Sequence, residues 1–272
     1  MKMKKEDIKK QVRKRYAGAA KTGTSCCGEA RPTEPSISQK VGYTKEDLAK
    51  VPAESNLGLG CGNPAEVASL KEGEVVLDLG AGAGIDCFLA SAKVGPSGRV
   101  IGVDMTPEML DRARKNARRN GYTNIEFRLG EIENLPAADN SFDVVISNCV
   151  INLSPEKDRV FREAFRVLKP GGRMLVSDLV LSKPLPKAIR ESAEVYTACV
   201  AGAMLRDDYV REIKAAGFRS VEVVSERSFP ADCVLDTSQA SKISRKLKIS
   251  RQELTKAIGS IISLNVKAVK GK

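Results

Sequence analysis

The sequence of 272 residues contains no histidine and no tryptophan. Without histidine there is no imidazole to act as a general base or a metal ligand, so the chemistry must use other groups. Tyrosine and phenylalanine number only five and seven, so aromatic platforms for stacking nucleic-acid bases are scarce. The composition therefore argues against a nucleic-acid partner, although the net charge is +11.

That positive charge is confined to the two ends of the chain. Residues 1–21 carry nine Lys and Arg against two acids, and residues 240–272 carry nine against one. The residues between them therefore have a net charge of −4. Basic ends of this kind are typical of solvated surfaces.

Long apolar stretches are also missing. No run of about 18 apolar residues occurs, and residues 1–21 lack the apolar core of a signal peptide. We expect a cytoplasmic monomer with no membrane partner. Seven cysteines, an odd number, do not indicate a disulfide framework there, and a chain of this length needs none for stability.

Alternating apolar and amphipathic segments predict a Rossmann-like α/β fold, with a mostly parallel sheet flanked by helices. The predicted strands are Val75–Leu79, Val100–Val103, Ile125–Leu129, Val144–Ser147 and Arg173–Ser177. The helices expected between them are Gly84–Ala92, Pro107–Asn120 and Glu156–Leu168. We expect the core in residues 66–180, an N-terminal cysteine-bearing segment in residues 1–65 and a C-terminal elaboration in residues 181–272.

The flanking segments are predicted from shorter signals. Lys2–Tyr16 has apolar residues at helical spacing, whereas Ala17–Gln39, which contains Cys26 and Cys27, is predicted to be a mobile loop. The C-terminal elements expected are helices at Pro186–Gly202, Tyr209–Ala216 and the basic stretch Ser241–Ile258, and an antiparallel pair of late strands at Val221–Arg227 and Ile261–Val269.

A glycine-rich loop follows the first core strand, with Asp78 ahead of Gly80, Gly82 and Gly84. Alternating glycines let a backbone turn sharply and approach a ligand without interference from Cβ atoms. Asp104 ends the second strand, where an acid can accept hydrogen bonds from both hydroxyls of a ribose. A glycine loop alone is weak evidence, but the loop and both acids in one βαβ frame indicate a nucleoside-bearing cofactor.

A nicotinamide dinucleotide is the alternative ligand for this loop. Its fingerprint requires glycine at position 85, which is Ile85. Moreover, the carboxylate of Asp78 would repel a pyrophosphate, whereas it would attract the ammonium group of a methionine moiety. The sequence therefore favours S-adenosylmethionine as the cofactor.

The segment Leu129–Pro136 follows the third strand and brings polar and apolar groups to the edge where α/β folds bind ligands. This series of motifs resembles the class I methyltransferases, in which the residues after the third strand hold adenine. The resemblance implies that Glu131 and Ile132 have that role. The cofactor-binding residues expected are Asp78, Gly80, Ala81, Gly82, Gly84, Asp104, Met105, Gly130, Glu131, Ile132 and Asn148.

A methyl acceptor should bind on the other side of the pocket, and a cysteine occurs there. Cys149 follows the fourth strand, beside the expected cofactor. Cys61 lies in the loop Gly58–Pro64, whose glycines are expected to hold the thiol without burying it, and Cys199 lies near the end of the helix after the fifth strand.

These stretches resemble the arsenite S-adenosylmethionine methyltransferases. The matching pieces are Gly58–Pro64, Val75–Gly84, Val103–Met109, Ser147–Pro155 and Cys199. The resemblance implies that Cys61, Cys149 and Cys199 bind trivalent arsenic as the substrate. It also implies that one N-terminal cysteine assists, here Cys26 or Cys27.

This chemistry is compatible with the missing histidine. Trivalent arsenic is soft and prefers thiolates to imidazole or carboxylate. Bound by three sulfurs it keeps a lone pair, which carries no proton, so methyl transfer needs no general base. Because free thiols titrate near pH ~8.5, either a lowered pKa or arsenic itself must favour the thiolate.

Two other functions remain open at this stage. The first is methylation of carbon, oxygen or nitrogen in a small organic molecule, which usually needs a base, here Asp, Glu or Tyr. The second is a thiol-based metal-binding protein without turnover, although no C-x-x-C spacing occurs. Cys87 is expected to be a buried structural residue, and Cys233 is assigned no role. Since methylation raises arsenic to the pentavalent state, a thiol reductant such as thioredoxin or glutathione is the expected partner.

Overall fold

The computed structural model describes residues 4–23, 37–64, 68–229, 242 and 244–272. Within them, one seven-stranded sheet has the order β3-β2-β1-β4-β5-β7-β6. Its strands are β1 (Val75–Leu79), β2 (Arg99–Asp104), β3 (Ile125–Leu129), β4 (Phe142–Asn148), β5 (Leu168–Leu181), β6 (Ser220–Ser228) and β7 (Ile261–Val269). The mostly parallel Rossmann-like fold predicted from the sequence is thereby confirmed.

Strands β1 to β5 are parallel, and the central residues of β1, β2, β4 and β5 are buried on both faces, whereas β3 lies at the edge of the sheet. This burial explains why the sequence shows nearly continuous apolar runs there. β5 is longer than predicted because the antiparallel β7 pairs with it from Arg173 to Leu181. β7 also pairs with β6, so the predicted antiparallel pair forms the edge of the sheet.

Helices cover both faces of this sheet. The principal helices between the core strands are α4 (Ile85–Val94), α5 (Pro107–Arg119) and α6 (Lys157–Val167). The remaining helices are α1 (Lys5–Thr22), α2 (Ile37–Lys40), α3 (Lys45–Ala49), α7 (Lys187–Arg190), α8 (Ala193–Thr197), α9 (Arg206–Ala215) and α10 (Arg251–Ile258). No helix among the described residues is long and apolar enough to cross a membrane.

The N-terminal helix is longer than the sequence predicts. α1 continues past Tyr16 to Thr22, and Gly23 ends it with a left-handed φ of 70°. The extension is stabilised because Ala20 is buried against Met109 of α5. The loop prediction is therefore wrong for residues 17–22 and for residues 37–39, which belong to α2, while Cys26 and Cys27 lie outside the described residues.

The single helix predicted at Pro186–Gly202 is also wrong, because two short helices occupy this segment. α7 ends at Arg190, and Ser192 caps α8 by accepting a hydrogen bond from Val195 N. After α8 the chain turns through Cys199, whose φ is +64°. This turn, rather than a helix, sets the position of the Cys199 thiol.

A third apolar cluster lies beside the two that pack on the sheet, and it carries the cysteines. It joins Val12 of α1 and Tyr196 of α8 to Cys61, Cys149 and Cys199, all of which are buried. Leu254 of α10 also belongs to this cluster, so the C-terminal elaboration contributes to the apolar packing around the cysteines. The thiols are therefore held by packing between elements that are distant in the sequence.

Candidate active site

A cavity of about 1020 Å³, including its open mouth, lies at the carboxyl ends of β1, β2 and β4. α1 forms part of its wall through Lys9, Val12 and Tyr16. Of the residues predicted to bind the cofactor or arsenic, the cavity is lined by Gly80, Ala81, Gly82, Asp104, Met105, Gly130, Ile132, Asn148 and Cys149.

The glycine loop has the backbone that its sequence predicts. Gly80, Gly82 and Gly84 have φ values of +69°, +53° and +97°, in the left-handed region that favours glycine. A Cβ on Gly80 would lie 2.4 Å from Val150, whereas a Cβ on Gly82 would meet nothing within 4 Å. Gly82 therefore faces open space in the cavity, while Gly80 packs against the protein.

The acids at this end of the cavity differ in position. Asp78 is buried behind the loop, where its carboxylate accepts a hydrogen bond from the Cys87 thiol at 3.2 Å. Asp86, which the sequence analysis missed, lines the cavity instead. Its carboxylate accepts hydrogen bonds from the Tyr43 hydroxyl at 2.7 Å and from Asn148 Nδ2 at 3.0 Å. The sequence signal that identifies Asp86 is its position in the first turn of the helix that follows the glycine loop.

These buried carboxylates make the glycine-loop end of the cavity electronegative. Burial raises the pKa of Asp86 to about 6, although the hydrogen bonds from Tyr43 and Asn148 oppose it. Burial also raises the pKa of Asp78 and Asp104, and the charge of Asp86 adds to the effect on Asp78. A cation bound nearby would favour the ionised form of each of these groups.

Asp104 is held in place by backbone amides. Its two oxygens accept hydrogen bonds from Gly82 N at 2.9 Å and from Thr106 N at 2.8 Å. Because each carboxylate oxygen has two lone pairs, Asp104 can still accept hydrogen bonds from a ligand in the cavity.

Ion pairs from α1 close the side of the cavity near Gly130. Lys9 Nζ lies 2.8 Å from Glu131 and 3.4 Å from Glu133, and Arg13 also pairs with Glu131. Glu131 therefore faces α1, whereas Ile132 lines the cavity. Among the described residues that line the cavity Lys9 is the one cation, and its charge is already paired.

The three predicted thiols converge at the carboxyl ends of β4 and β5. Cys61 Sγ donates to the carbonyl of Ser177 at 3.4 Å, and the same carbonyl accepts from Cys149 N at 2.8 Å. Cys199 Sγ donates to the carbonyl of Cys149 at 3.2 Å and lies 3.6 Å from the Tyr16 hydroxyl. The structure thus joins three segments separated by up to 138 positions in the sequence.

Cys61 is buried, with 2% of its surface exposed, so the expectation of an unburied thiol is wrong. Its flanking glycines permit close packing instead of exposure. A Cβ on Gly60 would lie 2.7 Å from Asn148 Nδ2, and one on Gly62 would lie 2.6 Å from Ser177 Cβ. Asn148 Oδ1 also accepts from Cys61 N at 2.9 Å, which ties the loop to the end of β4.

Cys149 and Cys199 have left-handed backbones, with φ values of +62° and +64°. This conformation costs an L-residue roughly 1–2 kcal/mol and is uncommon outside glycine, asparagine and aspartate. Strain of this kind concentrates at functional sites, where the surrounding structure imposes it. Two strained cysteines in one cluster therefore indicate that the position of their thiols matters.

The thiols of the cluster are protonated in the free protein. Burial raises the pKa of Cys61 to about 11, against the effect of a hydrogen bond with Cys149. The pKa of Cys199 is raised by its hydrogen bond with Cys149 and by burial. The pKa of Cys149 is lowered by Cys199 but raised more by Cys61 and by burial. Of the two sources of thiolate considered from the sequence, the raised pKa values favour arsenic itself.

Two charged residues beside the cluster escaped the sequence analysis. Asp178 is fully buried on β5, and one of its oxygens lies within 4.8 Å of the sulfurs of Cys61 and Cys149. Burial raises its pKa to about 7, opposed by hydrogen bonds from Leu179 N and the Tyr209 hydroxyl. Burial lowers the pKa of Lys157, which interacts with Asp178, to about 8. Asp178 directly follows the predicted strand Arg173–Ser177, so the strand-end rule was the available signal.

Comparison with known proteins agrees with this geometry. A family model described as a methyltransferase domain matches residues 70–217. An arsenite methyltransferase from Halobacterium salinarum is 50% identical over 230 residues, which are 80% of this chain and 59% of that protein. Another from Aquipseudomonas alcaligenes is 40% identical over 81% of this chain and 62% of its own length. The chain thus spans about three fifths of these curated relatives.

A solved structure adds a match to the fold. The crystal structure of an arsenic (III) S-adenosylmethionine methyltransferase from Chlamydomonas reinhardtii is 35% identical, with a TM-score of 0.64. The match covers 89% of this chain and 75% of that one. The chain therefore belongs to the arsenite methyltransferase family within the class I methyltransferases.

Proposed function

We propose that this protein transfers methyl groups from S-adenosylmethionine to trivalent arsenic bound by Cys61, Cys149 and Cys199. The observation that carries the proposal is the convergence of three thiols beside the cavity that the glycine loop lines. Cys149 belongs both to the thiol cluster and to the cavity wall, so it joins the two halves of the site. The names of the relatives from Halobacterium salinarum and Aquipseudomonas alcaligenes support the same substrate.

The cavity residues fit S-adenosylmethionine. Gly82 leaves open space at the loop, Asp86 offers a carboxylate to a cationic group, and Asp104 can accept from ribose hydroxyls. Lys9, the one cation among the described residues that line the cavity, is paired with Glu131 and Glu133, which disfavours a phosphate-bearing ligand there. When bound, S-adenosylmethionine supplies an electrophilic methyl group on a sulfonium.

Protonated thiols suit the loading of arsenite. Three thiols and As(OH)₃ exchange to give a tris-thiolate and three waters, so each thiol proton leaves on a former arsenic hydroxyl. Thiols and product are both neutral in this exchange. Because no charge is transferred into the buried cluster, the desolvation penalty that raises the thiol pKa values does not oppose arsenic binding.

The protein's residues then need to position the acceptor but not to remove a proton from it. The hydrogen bonds from Cys61 Sγ and from Cys149 N to the Ser177 carbonyl tie both cysteines to β5. The bond from Cys199 Sγ to the Cys149 carbonyl anchors the third. An arsenic lone pair carries no proton, so this arrangement works in a protein without histidine.

The proposal is tested by incubating the protein with S-adenosylmethionine, arsenite and a thiol reductant, with methylated arsenic measured by chromatography and mass spectrometry. Cys149→Ser should reduce turnover at least about a hundredfold, because loss of one of three sulfur ligands removes the acceptor site. The matched control is Cys87→Ser, which changes another buried thiol but keeps a donor for Asp78. The control should retain activity.

Two outcomes would contradict the proposal. Full arsenic methylation by Cys149→Ser would mean that the three-thiol site is wrong. Absence of methylated arsenic with S-adenosylmethionine binding intact would favour an organic acceptor, the other methyltransferase function considered from the sequence.

The proposal extends to partners and to the cell. Methylation leaves arsenic formally pentavalent, and two protein thiols can return it to the trivalent state by forming a disulfide. Cys26 or Cys27, which lie outside the described residues, supply a thiol for this step. Thioredoxin or glutathione would then reduce the disulfide. We place this cycle in a cytoplasmic monomer, the reducing setting that free thiols require.

A further inference from the structure

A buried carboxylate stands beside the thiol cluster, and the proposed function does not use it. Asp178 follows Ser177, the residue whose carbonyl accepts hydrogen bonds from both Cys61 and Cys149. One carboxylate oxygen of Asp178 and the sulfurs of Cys61 and Cys149 all lie within 4.8 Å of one another. All three residues are buried, and Asp178 is 0% exposed.

We propose that Cys61, Cys149 and Asp178 form a second binding site, for a thiophilic divalent cation such as Zn²⁺. Zn²⁺ binds thiolate sulfur at about 2.3 Å and carboxylate oxygen at about 2.0–2.2 Å in tetrahedral geometry. Two sulfurs on one such ion are about 3.8 Å apart. The three ligand atoms lie within 4.8 Å of one another, so the proposal requires side-chain rotation to bring them to that spacing, with a water in the fourth position.

The arsenic and divalent-cation sites share two ligands and differ in the third. Arsenic takes the sulfur of Cys199, because trivalent arsenic needs three sulfurs and keeps a lone pair in place of a fourth ligand. Cys199 Sγ lies outside the compact group of Cys61, Cys149 and Asp178, since it is directed at the Cys149 carbonyl and the Tyr16 hydroxyl. The divalent cation binds the carboxylate of Asp178. The hard oxygen of this carboxylate is a poor ligand for soft trivalent arsenic.

Charge balance supports a divalent cation at this position. When Zn²⁺ binds, the thiols of Cys61 and Cys149 each release one proton to solvent. The two positive charges of the ion therefore replace those of the two released protons. The bound ion with two thiolates and the Asp178 carboxylate then carries a net charge of −1. Lys157 is the nearby compensating cation, held by the carbonyls of Asn152 and Ser154 at 3.2 and 2.7 Å, and it interacts with Asp178.

The second site has a consequence for catalysis, which rests on the proposed function. A divalent cation on Cys61 and Cys149 excludes arsenic from the same sulfurs. Zn²⁺ should therefore inhibit arsenic methylation competitively with arsenite and not with S-adenosylmethionine. The cation would also protect two thiols from oxidation when arsenic is absent.

Binding is tested on the reduced full chain without S-adenosylmethionine, so the result does not depend on turnover. Cd²⁺ is the probe, because each cadmium–thiolate bond adds ultraviolet absorption, and arsenite binding is titrated separately by calorimetry. The signal from this site is the part that Cys149→Ser removes, which separates it from thiols elsewhere in the chain.

Two variants should separate the two sites. Asp178→Asn should weaken Cd²⁺ binding at least about tenfold, since loss of a direct ligand exceeds the loss of an outer-shell partner, and should leave arsenite binding within about twofold. Cys199→Ser should weaken arsenite binding at least about tenfold and leave Cd²⁺ binding within about twofold. Cys87→Ser should change neither. Equal Cd²⁺ affinity in Asp178→Asn and the parent protein would overturn the proposal, and so would equal losses of Cd²⁺ and arsenite binding in Cys199→Ser.

A measurement on the unmutated protein keeps the test decisive if Asp178→Asn fails to fold. At pH 8.5, where Asp178 is already ionised and the thiols are still protonated, Cd²⁺ bound at this site should give the absorption of two cadmium–thiolate bonds and release two protons. Three bonds and three protons would mean that Cys199 rather than Asp178 is the third ligand, which would overturn the proposal. Failure of arsenic methylation with Cd²⁺ binding intact would count against the proposed function alone.

Discussion

The two ends of the cavity recognise their ligands by different physical means. At the glycine-loop end, Asp86 and Asp104 line the wall, and buried Asp78 lies behind them. At the thiol end, Cys61, Cys149 and Cys199 are neutral, buried and packed among apolar side chains. Under the proposed function, one end is an electrostatic site for a cation, and the other is a covalent site for a soft element.

This difference predicts different sensitivities. Binding by charge depends on the protonation of acids whose pKa values burial has raised, so it should respond to pH. Arsenite exchange on neutral thiols moves no net charge, so it should respond mainly to the number and placement of sulfur atoms. Variants that affect one end and spare the other test whether the two ends are as independent as their chemistry suggests.

The largest effect on one end alone is expected from Gly82→Ala. The added methyl group points into open cavity space, so we expect it to occupy part of the cofactor volume at a cost of about 2–3 kcal/mol. Affinity for S-adenosylmethionine should fall about thirty- to a hundred-and-fiftyfold, as measured by calorimetry, with arsenite affinity unchanged. The left-handed φ of +53° adds about 1–2 kcal/mol of backbone strain to the folded state.

The matched variant for this prediction is Gly80→Ala. Its Cβ would lie 2.4 Å from Val150, so it should destabilise the folded protein more than Gly82→Ala does, by a clash inside the core. Thermal unfolding of both variants separates lost stability from lost cofactor space. Normal cofactor affinity in a folded Gly82→Ala protein would show that the cofactor does not approach this loop.

A smaller effect, about tenfold, is expected when the pH is lowered at the glycine-loop end. Burial raises the pKa of Asp86 to about 6 in the free protein, and a bound cation favours the ionised carboxylate. Affinity for S-adenosylmethionine should therefore be complete above pH 7 and decrease through pH 6, by about tenfold at pH 5. Arsenite affinity should change little over the same range.

Asp86→Asn is the control for the pH experiment. The amide keeps the size of the side chain but removes the charge, so affinity should be low and nearly independent of pH between 5 and 7. A variant that still loses affinity as the pH falls would assign the titration to another carboxyl group, such as Asp78.

The glycine-loop end was largely predictable because its signals are local. One segment, Val75–Gly84, contains the strand, the turn and the glycines, and the structure gives each its expected backbone. The placement of the acids was less predictable. Asp78 is directed away from the cavity toward Cys87, whereas Asp86, the second residue of α4, lines the cavity. Strand and helix periodicity alone do not determine which of the two acids faces the cavity.

From the sequence, the three cysteines could be identified as one site only through the resemblance to arsenite methyltransferases. The convergence of Cys61 and Cys149 depends on the register that pairs Asn148 with Ser177. Cys199 reaches them through a left-handed turn where the sequence predicts a continuous helix. The register and the turn are tertiary effects, and local patterns carry no record of them. Asp178 was missed for a different reason, since it directly follows the predicted strand and the strand-end rule was not applied to it.

The smallest effect is expected from Tyr16→Phe, which tests whether α1 couples the two ends. Tyr16 lines the cavity, and its hydroxyl lies 3.6 Å from Cys199 Sγ. The same sulfur donates to the Cys149 carbonyl at 3.2 Å, so its direction does not depend on the tyrosine. Loss of one weak hydrogen bond costs about 0.5 kcal/mol, which should lower kcat/KM for arsenite by less than about threefold. The ring keeps its packing in the variant, so affinity for S-adenosylmethionine should stay the same. A decrease above tenfold in kcat with unchanged arsenite affinity would mean that the hydroxyl acts on the reacting thiol, and that the thiol end is not independent of the helix that covers the cofactor.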